Sequence, residues 1–262
     1  MQLTVNGTQT FAATGGQPFD AKLPSVVFLH GAGFDHSAWA LHSRWFAHHG
    51  FAVLAVDLPG HGRSQGKPLT SIEAMADWTI ALLDAAGGKQ AKLIGHSMGS
   101  LIALEAAARH PSRVTELCLI GTSDAMAVSA DLLGAAENND HDAIDMVSIW
   151  GLGFSAEIGG SLAPGVWMHS GALRTLEAAK AGVLHADLAA CNAYRNAATA
   201  ARGVDLPVTL VLGERDIMTP AKNGRALAAA FPHARTLLLK GAGHMMMAER
   251  PDEVLAACRG AA

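Results

Sequence analysis

The sequence predicts an α/β fold with a mainly parallel sheet. Apolar runs of strand length alternate with helical segments over most of the 262 residues, as expected where right-handed crossovers place helices on both faces of a sheet. Glycine-rich polar loops follow several of these runs, at the edge where open sheets of this class bind ligands. The alternation lapses between residues 123 and 202. We therefore expect one core domain interrupted by a helical insertion.

The first extended runs, residues 2–5 and 9–13, are separated by an Asn-Gly-Thr turn. An Asn-Gly step between extended runs is a strong hairpin signal, so the chain should open with two antiparallel strands. Residues 25–29 and 51–56 follow as continuous apolar runs, which are typical of strands covered on both faces. A helix is expected between them over residues 37–48.

The next helix is predicted from a capping box, because Thr70 and Glu73 have the spacing of residues that satisfy each other's backbone N–H groups. It should run to about Ala85. A short apolar strand at residues 91–94 then leads into a turn with a glycine at each end. An alanine-rich helix follows the turn and ends before Pro111.

Further strands are predicted at residues 114–120, 206–212 and 235–239, where apolar runs recur. Helices are predicted to begin at Thr219, with a proline in the first turn, and at Pro251, which is followed by two acidic residues. Each of these helices follows a strand and its polar loop. The strand-helix alternation therefore resumes after the interval and continues to the end of the chain.

The interval without strands divides the chain into two parts. Residues 1–122 and 203–262 are assigned to the core domain, and residues 123–202 to a helical cap. The cap is rich in alanine, glycine and methionine, and it carries scattered aromatic residues. Such a composition can form packed helices, so the interval is interpreted as an insertion at the edge of the sheet and not as a linker.

The composition is that of a globular protein and offers little to a nucleic acid. Half of the residues are apolar, and 19 basic against 23 acidic residues give a net charge of −4, without the basic surface that a phosphate backbone requires. We see no secretory signal and no apolar run near the ~20 residues that a bilayer requires. We therefore expect a cytoplasmic protein without nucleic-acid or membrane partners. The sequence leaves open whether it forms a homodimer.

The cysteines and histidines predict neither a metal site nor a cofactor. Cys118, Cys191 and Cys258 are odd in number and lack C-x-x-C spacing, which favours buried free thiols. The 13 histidines are scattered and show no H-E-x-x-H or Cys/His ligand spacing.

Ser97 is the candidate nucleophile. It stands at the tip of the strand-turn-helix stretch 92–103, two residues from Gly95 on one side and from Gly99 on the other. Glycine at both positions lets strand and helix approach closely, so the turn is tight and the hydroxyl points out above the sheet. A serine hydroxyl is a poor nucleophile at neutral pH and needs a neighbouring base.

His244 and Asp216 are the candidate base and its supporting acid. Each follows a predicted strand, and the chain order Ser97, Asp216, His244 is the order expected of a nucleophile-elbow enzyme. Asp124, just after the strand at residues 114–120, competes with Asp216 for the role of the acid.

Five ordered motifs, each after a predicted strand, carry a resemblance to the α/β-hydrolase superfamily over all of the chain except the insertion. They are His30-Gly31, the run Asp57-Leu58-Pro59-Gly60-His61-Gly62-Arg63-Ser64, the turn Gly95-His96-Ser97-Met98-Gly99, the acid Asp216 and the base His244. The resemblance implies an eight-stranded, mostly parallel sheet with a helical cap after the sixth strand. It also implies that His30 and His61 brace loops.

The resemblance assigns an oxyanion hole to the backbone N–H groups of Ala32 and Met98, with Gly33 as a neighbouring alternative. Related haloalkane dehalogenases and epoxide hydrolases have an aspartate at the elbow, so Ser97 favours acyl transfer through an acyl-enzyme. We expect a carboxylesterase-like hydrolase that acts on a small-molecule ester. Alternatives with the same three residues are an enol-lactonase, a thioesterase, a carbon-carbon bond hydrolase and a cofactor-free perhydrolase. A hydrolase-like receptor for a small molecule is the alternative that is not an enzyme.

The substrate pocket is predicted from large apolar residues of the cap and of the loop after His244. Such side chains favour an uncharged acyl group of modest size. The candidate pocket residues are Gly33, Trp150, Phe154, Trp167, Met168 and Met245.

Overall fold

The computed structural model describes residues 1–161 and 167–260. Its eight strands form one sheet in the order β1-β2-β4-β3-β5-β6-β7-β8. The strands are β1 (Gln2–Val5), β2 (Thr8–Ala13), β3 (Ser25–Leu29), β4 (Ala52–Val56), β5 (Ala91–His96), β6 (Val114–Ile120), β7 (Val208–Gly213) and β8 (Ala234–Leu239). Strands β1 and β2 pair antiparallel with each other and β2 pairs antiparallel with β4, whereas the remaining pairs are parallel. The predicted fold class is confirmed.

The crossover helices lie on both faces of the sheet. They are α1 (Ala40–Ala47), α2 (Ile72–Ala85), α3 (Met98–Arg109), α10 (Ala221–Ala228), the short α11 (Met246–Glu249) and α12 (Pro251–Cys258). Alternate residues of β3 belong to different cores: Val27 packs in the core that contains α2 and α3, and Phe28 in the core that contains α1 and α12. Because side chains alternate along a strand, the uninterrupted apolar run of β3 supplies both cores.

A helical segment, residues 121–207, connects β6 to β7. Its described part contains helices and no strand: α4 (Ala130–Asn138), α5 (His141–Trp150), α6 (Phe154–Glu157), α7 (Met168–Glu177), α8 (Val183–Ala193) and α9 (Ala197–Gly203). Helix α9 packs against α3, and α8 packs against α4. The helical segment thus contacts the core at α3, the helix that follows the turn with Ser97. The division into core and cap domains remains a prediction.

The helix predicted over residues 37–48 opens as a 3-10 helix, His36–Trp39, and continues as α1. Two other predicted helix starts are wrong. Helix α2 begins at Ile72, because the hydroxyl of Ser71 accepts a hydrogen bond from the N–H of Ala74 and acts as the N-cap. The predicted capping box at Thr70 is therefore displaced by one residue. Helix α10 begins at Ala221, because the preceding Thr219 bonds through its N–H and hydroxyl to a carboxylate, as described below.

The three cysteines are free and buried, as predicted. Among the described helices, none combines the length and the apolar character that crossing a membrane would need.

Candidate active site

Ser97 occupies a strained turn between β5 and α3. Its φ of 53° and ψ of −118° lie in a region that side chains other than glycine rarely adopt. A Cβ on Gly95 would overlap the backbone of Gly99, and a Cβ on Gly99 would overlap the backbone of Leu29. The two glycines are therefore required for the close approach of strand and helix. The Ser97 N–H donates to the carbonyl of Ile120 at 2.9 Å, which ties the turn to β6.

His244 and Asp216 are brought together from the loops after β8 and β7. His244 Nδ1 lies 2.8 Å from Asp216 Oδ2, and both side chains are buried. Thr219 donates its hydroxyl to the same Oδ2 at 2.7 Å, and the N–H groups of Met218 and Thr219 donate to Oδ1 at 2.9 and 2.8 Å. The other candidate acid, Asp124, is exposed and accepts hydrogen bonds from Ser123 and Ala125.

These contacts favour the ionised form of Asp216. Burial raises the pKa of this carboxyl, but the nearby His244 and the hydrogen bonds from His244 and Thr219 outweigh burial, so the net pKa lies below its ordinary value. The carboxylate then accepts the Nδ1 proton of His244, which leaves Nε2 free to act as a base.

Nε2 of His244 is buried and has no hydrogen-bond partner among the described residues. His244 and Ser97 line the same cavity, together with Gly31, Ala32 and His96. A buried imidazole nitrogen without a partner can serve as a base for a serine hydroxyl of the same cavity.

His96 supports the backbone of His244. Its Nε2 lies 2.9 Å from the His244 carbonyl, so this nitrogen must carry the proton and donate it. Burial and the neighbouring His244 lower the pKa of His96 to about 3, which keeps the ring neutral. The contact agrees with a packing role for His96.

The loop after β3 contains a backbone N–H that has no partner among the described residues. The Ala32 N–H makes no hydrogen bond to a described residue, and Ala32 lines the cavity. Met98 is the first residue of α3, where an N–H has no partner within the helix. The Gly33 N–H instead donates to Asp187 Oδ2 at 2.8 Å. Gly33 is thus engaged elsewhere, whereas Ala32 and Met98 stay the predicted oxyanion donors.

His30 and His61 lie beneath this loop and brace it. His30 Nδ1 lies 2.9 Å from the carbonyl of Gly31, and its Nε2 accepts the Leu58 N–H at 3.3 Å. His61 packs on the His30 ring with centroids 4.8 Å apart. Its Nε2 lies 2.8 Å from Asp187 Oδ2.

Asp57, at the start of the loop after β4, is satisfied by its neighbours. One of its oxygens faces Nδ1 and the N–H of His36 at 2.7 and 2.8 Å, and the other accepts the Arg63 N–H at 2.8 Å. The ligand atoms of Asp35, His36 and Asp57 lie within 4.8 Å of one another. Because Asp57 already holds the loop through these bonds, the group is explained as a brace.

The cavity that contains Ser97 has a volume of about 210 Å³ and mainly apolar walls. Trp150 and Met245 of the predicted pocket line it. Trp167 and Met168 line a second cavity of about 340 Å³, which shares Phe34 and Met245 with the first.

Two residues of the predicted pocket lie elsewhere. Phe154 is 73% exposed, and Gly33 is covered by Leu176 of α7 and Leu184 of α8. Neither lines the cavity around Ser97 as the structure describes it. Phe154 belongs to a four-residue helix that turns its side chain to solvent, and Gly33 is held by its bond to Asp187.

Sequence reasoning missed Thr219 and Asp187. Thr219 stands three residues after Asp216, a spacing at which a carboxylate can accept from following N–H groups, whereas the sequence predicts only a helix start there. Asp187 is the lone carboxylate of α8 and stands between Ala186 and Leu188. Such a residue is rarely buried without a partner, and that was its only signal.

Three buried histidines are expected to make the stability of the fold depend on pH. Burial lowers the pKa of His30 and His42 to about 4 and that of His96 to about 3, from 6.5. Between these values the unfolded chain binds protons that the folded chain excludes, so stability falls as pH drops below about 6.5. We expect these three histidines together to take up about three protons on unfolding near pH 5, a contribution of about 4 kcal/mol per pH unit.

Urea unfolding at a series of pH values measures this slope. His42→Leu should reduce the proton uptake by about one, whereas the exposed His141, changed to glutamine, serves as the matched control and should not reduce it. A free energy of unfolding that is flat between pH 6.5 and 4.5 would contradict the prediction.

Comparisons with known proteins place the chain among hydrolases. Residues 26–257 match the model of a family described as "Alpha/beta hydrolase family". The chain is 32% identical over 233 residues to a pimeloyl-[acyl-carrier protein] methyl ester esterase of Chromobacterium violaceum, covering 80% of this chain and 83% of that protein. The corresponding protein of Proteus mirabilis is 27% identical, over 87% and 88%.

Solved structures show the same fold. The enol-lactonase from Burkholderia xenovorans superposes with a TM-score of 0.87 at 24% identity, covering 98% of this chain and 97% of that one. Est816, described as an N-acyl homoserine lactone degrading enzyme, superposes with a TM-score of 0.82 at 22% identity over the whole of both chains.

Proposed function

Because the chain belongs to the alpha/beta hydrolase family and is an enzyme of the esterase type, we propose that it cleaves carboxylic esters of small to medium uncharged acyl groups through an acyl-enzyme on Ser97. The observation that carries the proposal is the cavity that Ser97 and His244 both line, together with the unpartnered Nε2 of that buried imidazole. Asp216 holds the other nitrogen of that imidazole at 2.8 Å.

In the first step, His244 Nε2 takes the proton of the Ser97 hydroxyl while Oγ forms a bond to the ester carbonyl carbon. Asp216 stabilises the imidazolium that results. The carbonyl oxygen becomes an anion, which the Ala32 and Met98 N–H groups would bind. Collapse of this intermediate breaks the bond to the alcohol oxygen, which leaves with the proton from His244.

In the second step, a water molecule attacks the acyl-enzyme. His244 takes one proton from that water, and the same two N–H groups bind the new oxyanion. Collapse returns the proton to Ser97 Oγ and releases the carboxylic acid. The protein is then restored, so no further reactant is consumed.

The preference for an uncharged acyl group follows from the walls of the cavity. Apolar side chains dominate, including Phe34, Leu132, Val147 and Leu188, and among its described lining residues there is no lysine or arginine. A carboxylate on the acyl chain would therefore lose water without gaining a cation. Burying an unpaired charge is costly, so such a substrate should be disfavoured.

A matched pair of substrates tests this preference. The p-nitrophenyl esters of butyrate and of succinate are similar in size, but the second carries a free carboxylate. We expect kcat/KM for the butyrate ester to exceed that for the succinate ester by about 100-fold, because several kcal/mol of charge desolvation oppose the second.

Acyl esters from acetyl to dodecanoyl, together with lactones and thioesters, complete the profile. Many turnovers on short esters, lost in a Ser97 variant, would support the proposal and exclude a receptor that is only modified once. Equal rates on the butyrate and succinate esters would contradict the proposed preference.

The activity for which the sequence relatives are named adds one substrate to the assay. A methyl ester carried on an acyl-carrier protein ends in an uncharged group, which the same cavity could receive. The proposal predicts faster turnover of free short esters than of such a carrier-bound ester.

A further inference from the structure

Asp187 joins three segments of the chain that are distant in sequence. It lies on α8, in the helical segment, and is 0% exposed. Its Oδ2 accepts the Gly33 N–H at 2.8 Å and faces His61 Nε2 at 2.8 Å. One carboxylate oxygen thus connects the helical segment to the loop after β3 and to the loop after β4.

The bond to His61 is a charge-assisted one. His61 Nδ1 lies 3.1 Å from the carbonyl of Pro59, which can only accept, so Nδ1 carries a proton. Burial lowers the pKa of His61, but the charge of Asp187 and the hydrogen bond to it outweigh burial, and the net pKa is raised. The imidazolium therefore donates through Nε2 as well, and holds Asp187 in place.

The other oxygen, Oδ1, is buried and has no hydrogen-bond partner among the described residues. A carboxylate that served only to stabilise the helical segment would be expected to satisfy both oxygens or to be replaced by an apolar side chain. Burying Oδ1 without a partner therefore costs free energy of folding. The bond between Asp187 and the Gly33 N–H needs an explanation other than stability.

Ala32 lies between two peptide groups that are both held. The carbonyl of Gly31 accepts from His30 Nδ1 at 2.9 Å and from the Phe34 N–H at 3.2 Å. Because peptide groups are planar and trans, this fixes the Ala32 N–H in the opposite direction. The next peptide group is held by its Gly33 N–H on Asp187.

Gly33 cannot easily find another position. Its φ of +73° is in the left-handed region, and an added Cβ would lie 2.8 Å from Leu176 and 3.0 Å from Leu184. Helices α7 and α8 therefore cover one side of this residue while Asp187, also on α8, holds its N–H. The conformation of the loop depends on the position of the helical segment.

We propose that Asp187 is a positioning residue of the oxyanion hole, which holds the Gly33 N–H so that the Ala32 N–H points at the developing oxyanion. The proposal rests on the proposed function, because it assigns the donor role to Ala32. Asp187 itself does not line the described cavity, so it acts through the loop and not on the substrate.

Two substitutions separate positioning from stability. Asp187→Asn keeps an oxygen that can accept from the Gly33 N–H, whereas Asp187→Leu keeps the size but has no acceptor. A misaimed donor weakens binding of the transition state more than that of the substrate, so Asp187→Leu should lower kcat by about 10- to 100-fold and change KM by less than about threefold. Asp187→Asn should recover kcat to within about threefold of the wild type.

A boronic acid that adds to the serine hydroxyl mimics the tetrahedral anion, and provides a second readout. Its inhibition constant should rise in Asp187→Leu by the same factor as kcat/KM falls. Glu105→Gln is the matched control, because Glu105 is another buried carboxylate that ties the core to the helical segment, through Tyr194 and Asn196. We expect it to lower the melting temperature without changing kcat.

If Asp187→Leu does not fold, the double variant Asp187→Leu/His61→Leu replaces both members of the buried pair by apolar groups and takes its place. Equal kcat values for the Asn variant and the Leu variant, or a boronate inhibition constant that does not follow kcat/KM, would overturn the positioning role. Failure of the proposed function is distinguishable, because the wild-type protein itself would then show no serine-dependent turnover of esters.

Discussion

Replacing Ser97 by alanine is expected to lower kcat for ester hydrolysis by about 10⁴-fold or more and to leave the fold intact. The substitution removes the only atom that forms the acyl bond in the proposed mechanism, and the Ser97 hydroxyl is not a donor to any described residue, so little stability depends on it. Initial rates on p-nitrophenyl butyrate and a thermal melt measure the two effects.

Ser148→Ala is the matched control for this experiment. Its hydroxyl is buried and has no hydrogen-bond partner among the described residues. Its removal should leave kcat within about twofold of the wild type. Retention of ester turnover by Ser97→Ala would refute the nucleophile assignment.

The strain at Ser97 adds a stability readout to the same series. Glycine adopts the observed φ of 53° without the penalty that a Cβ incurs. Ser97→Gly should therefore be inactive, like Ser97→Ala, yet more stable than it by about 1 kcal/mol. If the turn is strained for catalysis, a substitution that relieves the strain should abolish activity and raise stability.

Asp216→Asn is expected to lower kcat by about 10⁴-fold, the second large effect. The N–H groups of Met218 and Thr219 donate to Oδ1 at 2.9 and 2.8 Å, so the amide oxygen of asparagine takes that position and the NH₂ group faces His244. An NH₂ donor opposite Nδ1 selects the imidazole tautomer with its proton on Nε2, which cannot act as the base.

Asp124→Asn provides the comparison, since Asp124 was the competing acid in the sequence. It is exposed and bonds to its own neighbours, so its replacement should leave kcat within about twofold of the wild type. Loss of activity in Asp124→Asn, with Asp216→Asn active, would reverse the assignment. Rates on p-nitrophenyl butyrate at saturating substrate distinguish the two outcomes.

Much of the framework could be predicted because it depends on local patterns. The continuous apolar run of β3 and the paired glycines around Ser97 each have a direct physical cause, and the structure confirms the eight-stranded, mostly parallel sheet. The loops that carry Ser97, Asp216 and His244 follow strands β5, β7 and β8, so their meeting at one edge follows from parallel topology.

Contacts that depend on how the helical segment packs on the core could not be predicted. The bond from Gly33 to Asp187 spans 154 positions, and nothing near either residue indicates the other. The pocket residues on the helical segment depend on how its helices pack, which is why Trp150 lines the cavity around Ser97 while Phe154 is exposed. Helix starts failed for a smaller reason: Ser71 and not Thr70 caps α2, and the Thr219 N–H is bonded to Asp216 ahead of α10.

The claim on which the mechanism depends is the covalent bond between Ser97 Oγ and the acyl group. Rapid quenching of the wild-type protein with a slowly hydrolysed ester, followed by trypsin digestion and mass spectrometry, measures it in the peptide of residues 93–109. The account predicts one acyl group on Ser97 and an initial burst of about one equivalent of alcohol. Steady turnover with an unmodified peptide and no burst would contradict it.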